Sequence, residues 1–360
     1  MWIQHAFICL LCITFSVAAD KQFPTGPITK HFSDWLINNG YGKYKFDSTQ
    51  FQNLGSYGGK TSDDQKLAYT PIMFVHGNED GALFMAGNTT SGSSHQIAYF
   101  EQQGYTSAEL YVTTWGHRRP DMAMLNDHNC RTILRLRRFA EAIMRYTNSK
   151  FISVISHSMG VTIARKIVKG GILRHSDGTF CDVGPPMTNI VRTFIGLSGA
   201  NYGMCACMGF FAATPTCNPQ NGFFPGDSCG SNMFTCSARK YPSPCVKATY
   251  ADLLYEMNMD NIREGHKVYS FWSIEDDIIM NADNVWGRPT SFIPCSEVLV
   301  FRDLTHMQVK PSAFLSTKIG FTNLLYYDGS TLPNASLHIN AEWKKFRDRT
   351  PVLWTIKCFR

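Results

Sequence analysis

Residues 150–165 read KFISVISHSMGVTIAR. The first half is a short apolar run that ends at Ile155 and predicts a buried strand, whereas Val161 and Ala164 have the spacing of a helix. Four small or unusual residues, Ser156, His157, Met159 and Gly160, separate the two halves, with Ser158 in the middle. A sharp strand–turn–helix lifts one side chain clear of the backbone, and the free N–H groups of the helix point at the same place. The stretch therefore predicts a nucleophile elbow that exposes the Ser158 hydroxyl for attack.

The general signature of such an elbow is Gly-x-Ser-x-Gly. Gly160 is the second glycine, but Ser156 stands where the first is expected. Both positions need small residues because the strand and the helix crowd each other beside the nucleophile. Serine meets this demand less well than glycine. The pentapeptide alone therefore also fits an ordinary turn with an incidental serine, and the rest of the chain has to decide.

The composition is that of a globular protein with a sizeable core. The chain has 360 residues, of which 44% are hydrophobic and 17% are charged. The net charge of +6 is mild, and no basic–aromatic pattern or binding motif indicates nucleic acid. One predicted helix is rich in arginine, and we interpret these side chains as a solvated face rather than as a patch for anionic lipid. They are Arg131, Arg135, Arg137, Arg138 and Arg145.

Residues 1–19 have the pattern of a secretory signal peptide. An apolar run over 6–17 is followed by the small residues Ala18 and Ala19 before Asp20. The run is shorter than the roughly 20 residues that a membrane span needs, and we find no later apolar stretch of that length. We therefore predict a secreted, extracellular protein without a stable transmembrane segment. N-glycosylation triplets at Asn88 and Asn334 are compatible with this prediction.

The cysteines favour the same compartment. Cys9 and Cys12 lie in the signal segment, and the others are even in number, so we expect disulfides. Several crowd into residues 205–245, where their spacing does not resemble the paired Cys-x-x-Cys of a zinc site. We therefore expect no metal there. The sequence leaves the disulfide pairing open.

Strands alternate with helices from residue 69 onward, which predicts a mostly parallel sheet with helices on both faces. Strands are predicted at 69–75, 108–113, 150–155, 191–197, 268–273 and 298–301, and helices at 95–103, 132–146 and 250–258. Residues 20–68 are polar and turn-rich, with one short helix at 28–38. We interpret them as an N-terminal extension packed on the main domain, which covers 69–360.

The Cys-rich segment 202–247 interrupts this alternation, and we interpret it as a cap. It holds Met204, Met208, Phe210, Phe211, Phe223, Phe224, Met233 and Phe234. These side chains could line an acyl pocket or contact a lipid interface. They could equally form a small private core. In either case several disulfides would make the segment a cap rather than a flexible lid.

A serine hydroxyl is a weak nucleophile unless a base takes its proton, and that base is usually a histidine oriented by a carboxylate. In a parallel sheet the reacting groups lie at the carboxyl ends of the strands. The strand at 268–273 runs into Glu275, Asp276 and Asp277, and position alone does not choose among these three acids. His306 follows the last predicted strand and is the best placed base.

The oxyanion hole needs two backbone N–H groups that point at the developing negative charge. The residue after the nucleophile, Met159, supplies one of them. The loop after the first strand contains His76 and Gly77, where the glycine permits a close backbone approach. The expected second donor is the N–H of Asn78.

Taken in order, these pieces resemble the class 2 lipases, a family that includes small secreted bacterial lipases and nematode proteins. The matching pieces are Val75–His76–Gly77, Ser156–His157–Ser158–Met159–Gly160, Leu197–Ser198–Gly199–Ala200–Asn201, the stretch 273–281, and His306. The resemblance covers about 69–307 without the Cys-rich segment. It implies an α/β-hydrolase fold with Ser158 as nucleophile, Asp276 as acid and His306 as base. It also implies oxyanion donors at Asn78 and Met159.

The sequence thus favours a secreted serine hydrolase of carboxylic esters, with triacylglycerols as the preferred substrate class. This mechanism needs no cofactor. One alternative is a non-catalytic secreted binding protein on a hydrolase fold, which the presence of all three triad residues disfavours. Another is a carboxylesterase or acyltransferase that acts on other substrates. We expect a lipid or another ester as the partner, with transient contact to a lipid interface.

Overall fold

The computed structural model describes residues 23–85, 91–226, 229, 250–286 and 288–315. Its strands, in chain order, are β1 (Ser56–Tyr57), β2 (Ile72–Val75), β3 (Leu110–Thr113), β4 (Ile152–His157), β5 (Ile172–Arg174), β6 (Phe180–Asp182), β7 (Val191–Leu197), β8 (Lys267–Ser273), β9 (Asn284–Val285), β10 (Arg288–Pro289) and β11 (Glu297–Phe301). Its helices are α1 (Lys30–Asn38), α2 (Ser94–Gln102), α3 (Cys130–Thr147), α4 (Met159–Lys169), α5 (Asp252–Met259) and α6 (Val309–Leu315).

Seven of these strands form the central sheet, in the order β1-β3-β2-β4-β7-β8-β11. All neighbours in it are parallel except β1, which pairs with β3 in the antiparallel sense. The strands β5 and β6, and likewise β9 and β10, form separate two-stranded hairpins. Each strand and helix that the sequence predicts is present, with bounds shifted by a few residues. The prediction missed β1 and both hairpins, because strands this short carry too little periodicity to be recognised.

The sheet is covered on both faces, as the strand–helix alternation predicts. In β2, Met73 and Val75 pack into a core shared with α1, α3 and α4, whereas Ile72 and Phe74 pack into a core shared with α2 and α6. This alternation follows from the period of a strand, which sends successive side chains to opposite faces. The predicted α/β-hydrolase fold, a mostly parallel sheet between two helical layers, is confirmed.

The arginines of α3 correct one expectation. Arg137 is buried, and its guanidinium donates to Ile167 O over 2.8 Å and to Pro185 O over 2.9 Å. Arg135 donates to three backbone carbonyl groups, of Tyr44, Lys45 and Thr114. The prediction of a solvated face is therefore wrong for these two residues. Their guanidinium groups satisfy carbonyl oxygens that would otherwise be buried without a donor.

The described part of the Cys-rich segment is cross-linked by internal disulfides and packs on the main domain. Disulfides join Cys205 to Cys229 and Cys207 to Cys217, and a third, outside the segment, joins Cys130 to Cys181. The prediction of disulfides is thus confirmed. Met204, Met208, Phe223 and Phe224 pack against the main core, so a private core is the wrong interpretation for these four residues. Residues 230–249 and the side chain of Phe210 lie outside the described residues, as do Met233 and Phe234.

The N-terminal segment contributes to the main core. Phe32 and Leu36 of α1 are buried in it, and β1 forms one edge of the sheet. The predicted signal peptide and both glycosylation triplets, at Asn88 and Asn334, lie outside the described residues. Every helix within the described ranges is too short or too polar to cross a lipid bilayer.

Candidate active site

Ser158 occupies the turn between β4 and α4 with a strained backbone. Its φ is 56° and its ψ is −132°, a combination that a residue with a side chain rarely adopts. The backbone on either side is held, because Ser158 N donates to Leu197 O over 2.9 Å and Val161 N donates to Ser158 O over 2.9 Å. The side chain is only half-buried. The predicted sharp turn is therefore present.

The small residues that flank the turn have different physical reasons. A Cβ atom at Gly160 would collide with the carbonyl oxygens of Val75 and His76, so only glycine fits there. Ser156 is buried, and its hydroxyl donates to Ile195 O on β7 over 3.0 Å. A serine is tolerated where the signature has glycine because this position faces a strand that offers an acceptor.

Asp276 and His306 are in direct contact. His306 Nδ1 and Asp276 Oδ2 are 2.7 Å apart, and both side chains are buried. The other carboxylate oxygen of Asp276 accepts from the N–H groups of Ile278 and Ile279, over 3.0 and 2.8 Å. Burial alone would raise the pKa of Asp276, but these hydrogen bonds, led by that from His306, outweigh it and lower the pKa. The carboxylate is thus ionised and oriented toward the imidazole.

The neighbouring acids occupy different surroundings. Glu275 and Asp277 are exposed. Asp277 Oδ1 accepts from the backbone N–H of His306 over 2.8 Å and so holds the loop rather than the ring. Among the three carboxylates that the sequence leaves open, Asp276 is the one hydrogen-bonded to the imidazole of His306.

His306 lies beside the elbow. The rings of His157 and His306 have centroids 4.5 Å apart, and His157 Nε2 donates to His306 O over 3.0 Å. Although both Ser158 and His306 belong to the described residues, no hydrogen bond joins the Ser158 hydroxyl to His306. The structure brings Asp276 and His306 together next to Ser158 and leaves that last hydrogen bond open. Such bonds are often long in unliganded enzymes and tighten when substrate binds.

The two expected oxyanion donors flank the serine. A Cβ atom at Gly77 would lie 2.8 Å from Ser158 Cβ, so the backbone that leads to Asn78 passes close to Ser158. The Asn78 side chain is held by a 2.8 Å bond to Ala123 O and accepts a second bond from Asn126. Helix α4 begins at Met159 without a side-chain cap. Within the described ranges, neither the Asn78 nor the Met159 N–H donates to a protein acceptor, so both remain available to a ligand oxygen.

His76 has a role that the sequence did not reveal. It is buried, and its Nδ1–H donates to Gly77 O over 2.8 Å while its Nε2 accepts from Trp115 N over 2.9 Å. This pair of bonds requires the neutral imidazole. Burial lowers the pKa of His76 to about 4, which keeps the ring in that form. His76 therefore supports the loop of Asn78, and a strand-end position next to Gly77 was the signal that could have indicated it.

The described residues contain no group of three or more His, Cys, Asp or Glu side chains placed to hold a metal ion. Asp276 and His306 are accounted for by their bond to each other.

A family model described as lipase (class 2) matches residues 69–316 of the chain. No curated protein matches the sequence significantly. Similar solved structures include lipase B of Aspergillus fumigatus, with 13% identity, 72% of this chain and 54% of that chain covered, and a TM-score of 0.45. They also include the mature form of a Bacillus licheniformis lipase, with 12% identity, 73% and 95% covered, and a TM-score of 0.44. The chain thus spans about half the length of the fungal lipase.

Proposed function

We infer that the chain, which belongs to the class 2 lipase family because that family's model matches more than half of its 360 residues, is a serine ester hydrolase. On this premise we propose that Ser158 is the nucleophile, His306 the general base and Asp276 the acid that orients it. The single observation that carries this proposal is the buried 2.7 Å bond between Asp276 and His306 beside the strained turn of Ser158.

The proposed reaction has two halves. His306 Nε2 takes the hydroxyl proton as Ser158 Oγ attacks the ester carbonyl, and the N–H groups of Asn78 and Met159 stabilise the oxyanion. The proton then passes to the alkoxide that leaves, and an acyl-serine remains. Water, deprotonated by the same imidazole, attacks this acyl group and releases the carboxylic acid. Asp276 keeps the Nδ1–H directed toward itself and stabilises the imidazolium.

We propose that the enzyme is secreted and that its substrates are acylglycerols at a lipid surface. Large apolar side chains are exposed on both sides of the site, which supports this proposal. Ile278 and Met280, each 49% exposed, follow Asp276, and Leu125, 60% exposed, ends a short helix whose Ala123 O accepts from the Asn78 side chain. The disulfides between described residues support an oxidising compartment.

The proposal is tested with Ser158→Ala and a soluble p-nitrophenyl ester. We expect turnover to fall to background and covalent labelling by a fluorophosphonate to disappear. Ser156→Ala is the matched control, because it removes a hydroxyl from the same pentapeptide and should keep labelling. Full turnover by Ser158→Ala would refute the assignment. An unlabelled wild-type protein would instead favour the non-catalytic binding protein.

The substrate class is tested by comparing the soluble ester with emulsified triacylglycerol. The double variant Ile278→Ser/Met280→Ser should lose activity on the emulsion and keep activity on the soluble ester. Equal loss on both substrates would argue against a lipid-contacting rim. Product analysis with a competing alcohol separates hydrolysis from acyl transfer.

A further inference from the structure

A buried ion pair joins the loop of one proposed oxyanion donor to the helix that follows the proposed base. Lys310 Nζ lies 2.7 Å from Asp80 Oδ2, and the two side chains are 2% and 3% exposed. The residues are 230 positions apart in the sequence. Two charged groups that are far apart in the sequence are thus buried against each other, next to the segments that contain Asn78 and His306.

In the loop of the proposed oxyanion donor, both carboxylate oxygens of Asp80 accept hydrogen bonds. Oδ1 accepts from the N–H groups of Gly81 and Gly92 over 2.8 and 2.9 Å, and Oδ2 accepts from Lys310. Burial would raise the pKa of Asp80, but the Lys310 ammonium outweighs it and holds the pKa well below its ordinary value. The carboxylate is therefore ionised, and Asn78 lies only two residues away.

On the base side, Lys310 belongs to the first turn of α6. The chain from Thr305 to this helix is compact, because Gln308 N and Val309 N both donate to Thr305 O, over 3.0 and 3.2 Å. His306 lies inside this compact segment. A shift of Lys310 relative to Asp80 would therefore be transmitted to the imidazole of His306.

The rest of the oxyanion loop is anchored elsewhere. Glu79, also buried, accepts from the N–H groups of His117 and Arg119 over 3.0 and 2.7 Å. The Asn78 side chain is held by Ala123 and Asn126. These contacts tie Asn78 and Glu79 to residues 117–126, whereas Asp80 is bonded to Lys310 in the segment that follows His306.

We propose that Asp80 and Lys310 are positioning residues that set the distance between the Asn78 N–H and the His306 imidazole. The inference rests on the proposed function. A hydrophobic pair of similar volume usually holds a fold together as well as a buried ion pair does. A charged pair at this place therefore serves alignment: the oxyanion donor and the base must meet the same acyl carbon, and small misplacements of such groups are costly.

The experiment uses Asp80→Asn/Lys310→Met in the full-length chain, with both single variants. The asparagine oxygen still accepts from Gly81 and Gly92, and the double variant removes both members of the ion pair together, so it decides the matter even if a single variant fails to fold. With a soluble ester well below the melting temperature, we expect kcat to fall about 100-fold. KM should stay within about twofold, as for a loss confined to the transition state.

Two further readouts separate alignment from a general structural role. Affinity for an alkyl boronic acid, which forms a tetrahedral adduct on the serine, should fall together with kcat. The shape of the profile of kcat against pH should be unchanged, because the double variant removes one charge of each sign. The matched control is Lys30→Met/Asp34→Asn, an exposed ion pair of α1 with 2.6 Å between its charged atoms, which should leave kcat unchanged.

The inference is overturned if the folded double variant keeps kcat and boronic acid affinity within about threefold of the wild type. The proposed function is judged separately by the wild-type protein and Ser158→Ala in the same assay. If the wild type has turnover that depends on Ser158 and the double variant is unaffected, the inference alone is refuted. If the wild type has no turnover that depends on Ser158, both the inference and the proposed function are refuted.

Discussion

His157 donates from Nε2 to the backbone carbonyl of His306 over 3.0 Å, and the two imidazole rings lie 4.5 Å apart. The residue before the proposed nucleophile thereby holds the loop of the proposed base. His157 Nδ1 is buried and has no hydrogen-bond partner in the described part of the chain. Burial lowers the pKa of His157 well below its ordinary value, so the ring is neutral with its single proton on Nε2.

This arrangement predicts that His157→Phe lowers activity and leaves stability nearly unchanged. The substitution keeps a ring of similar volume, removes the bond to His306 and also removes an unpartnered buried nitrogen. Because the two changes offset each other, the free energy of unfolding should change by less than about 1 kcal/mol. The value of kcat should fall about tenfold as the base loop loosens. Denaturant unfolding and steady-state kinetics measure both, and an unchanged kcat would show that His157 only fills space.

Asp276→Asn tests the proposed acid against its two neighbours. The amide cannot hold His306 in the productive tautomer, so kcat should fall about 10³- to 10⁴-fold with little change in fold. Glu275→Gln and Asp277→Asn are the controls, since both side chains are exposed and neither contacts the ring. A comparable loss in Glu275→Gln would mean that the acid has been misassigned.

Gly77→Ala should impair the site with little effect on the fold. The new Cβ atom would lie 2.8 Å from Ser158 Cβ and 3.3 Å from His157 Nδ1, so Ser158 or the loop of Gly77 and Asn78 must move. We expect kcat to fall about 100-fold. Gly42→Ala is the control, because its Cβ atom would meet only the Ile37 side chain and backbone at ordinary distances from 3.4 Å. Equal kcat values in the two variants would contradict the close approach of Gly77 to Ser158.

His128 makes stability depend on pH. It is buried between Asn221 of the cap and Thr162 of α4, at 2.7 and 2.6 Å, and burial lowers its pKa from 6.5 to about 4. Between about pH 4 and pH 6.5 the imidazole is therefore protonated in the unfolded chain and neutral in the folded chain. The stability is fully present above about pH 6.5 and is lost as the pH falls toward 4, by on the order of 3 kcal/mol for this group.

The measurement is the free energy of unfolding at several pH values from 7 to 4. His76, with a pKa lowered to about 4, and His157 act in the same direction, so the wild-type slope combines several groups. His128→Gln should reduce that slope by up to about 1.4 kcal/mol per pH unit, the contribution of one proton. An identical slope in the variant would show that His128 does not titrate as described.

Removal of the buried Arg165 side chain should lower the stability of the fold strongly. It is fully buried in α4, pairs with Glu264 over 2.8 Å and donates to Asn201 and Asn258 over 3.0 and 2.8 Å. Arg165→Met leaves the buried acceptors of Asn201 and Asn258 without this donor and leaves Glu264 with only Lys169, 3.5 Å away, so the free energy of unfolding should fall by about 3–5 kcal/mol.

The comparison is Arg119→Met, which breaks an exposed ion pair with Asp121 and should change the free energy of unfolding little, because solvent screens that pair. Urea titration of both variants measures the difference. Similar losses in the two would mean that the Arg165 network adds nothing to the fold.

Much of the fold could be predicted because it depends on local patterns. Strand–helix alternation indicated the parallel sheet, and the crowding of small residues around Ser158 indicated the turn. The short strands β5, β6, β9 and β10 escaped notice since two or three residues have no readable period. The arginines of α3 were misjudged for a related reason: helical spacing does not show which carbonyl groups a guanidinium will meet.

The site divides in the same way. The order serine, acid, histidine along the chain, together with the strand-end positions, was sufficient to propose Ser158 and His306. The residues alone left three acids open, and the resemblance to class 2 lipases favoured Asp276. His76 and His157 are adjacent to recognised motifs, yet their bonds to Gly77 and His306 depend on ring orientation. Nothing in the sequence connects Asp80 to Lys310.

The sequence by itself determined the elbow and the strand–helix alternation, since both follow from side-chain size and apolar spacing over a few neighbouring residues. Only the tertiary structure decided that Asp276, rather than Glu275 or Asp277, is hydrogen-bonded to the imidazole of His306, and that Lys310 reaches Asp80. Those contacts join residues far apart in the chain. They depend on strand order and register in the sheet, which the packing of the whole domain sets.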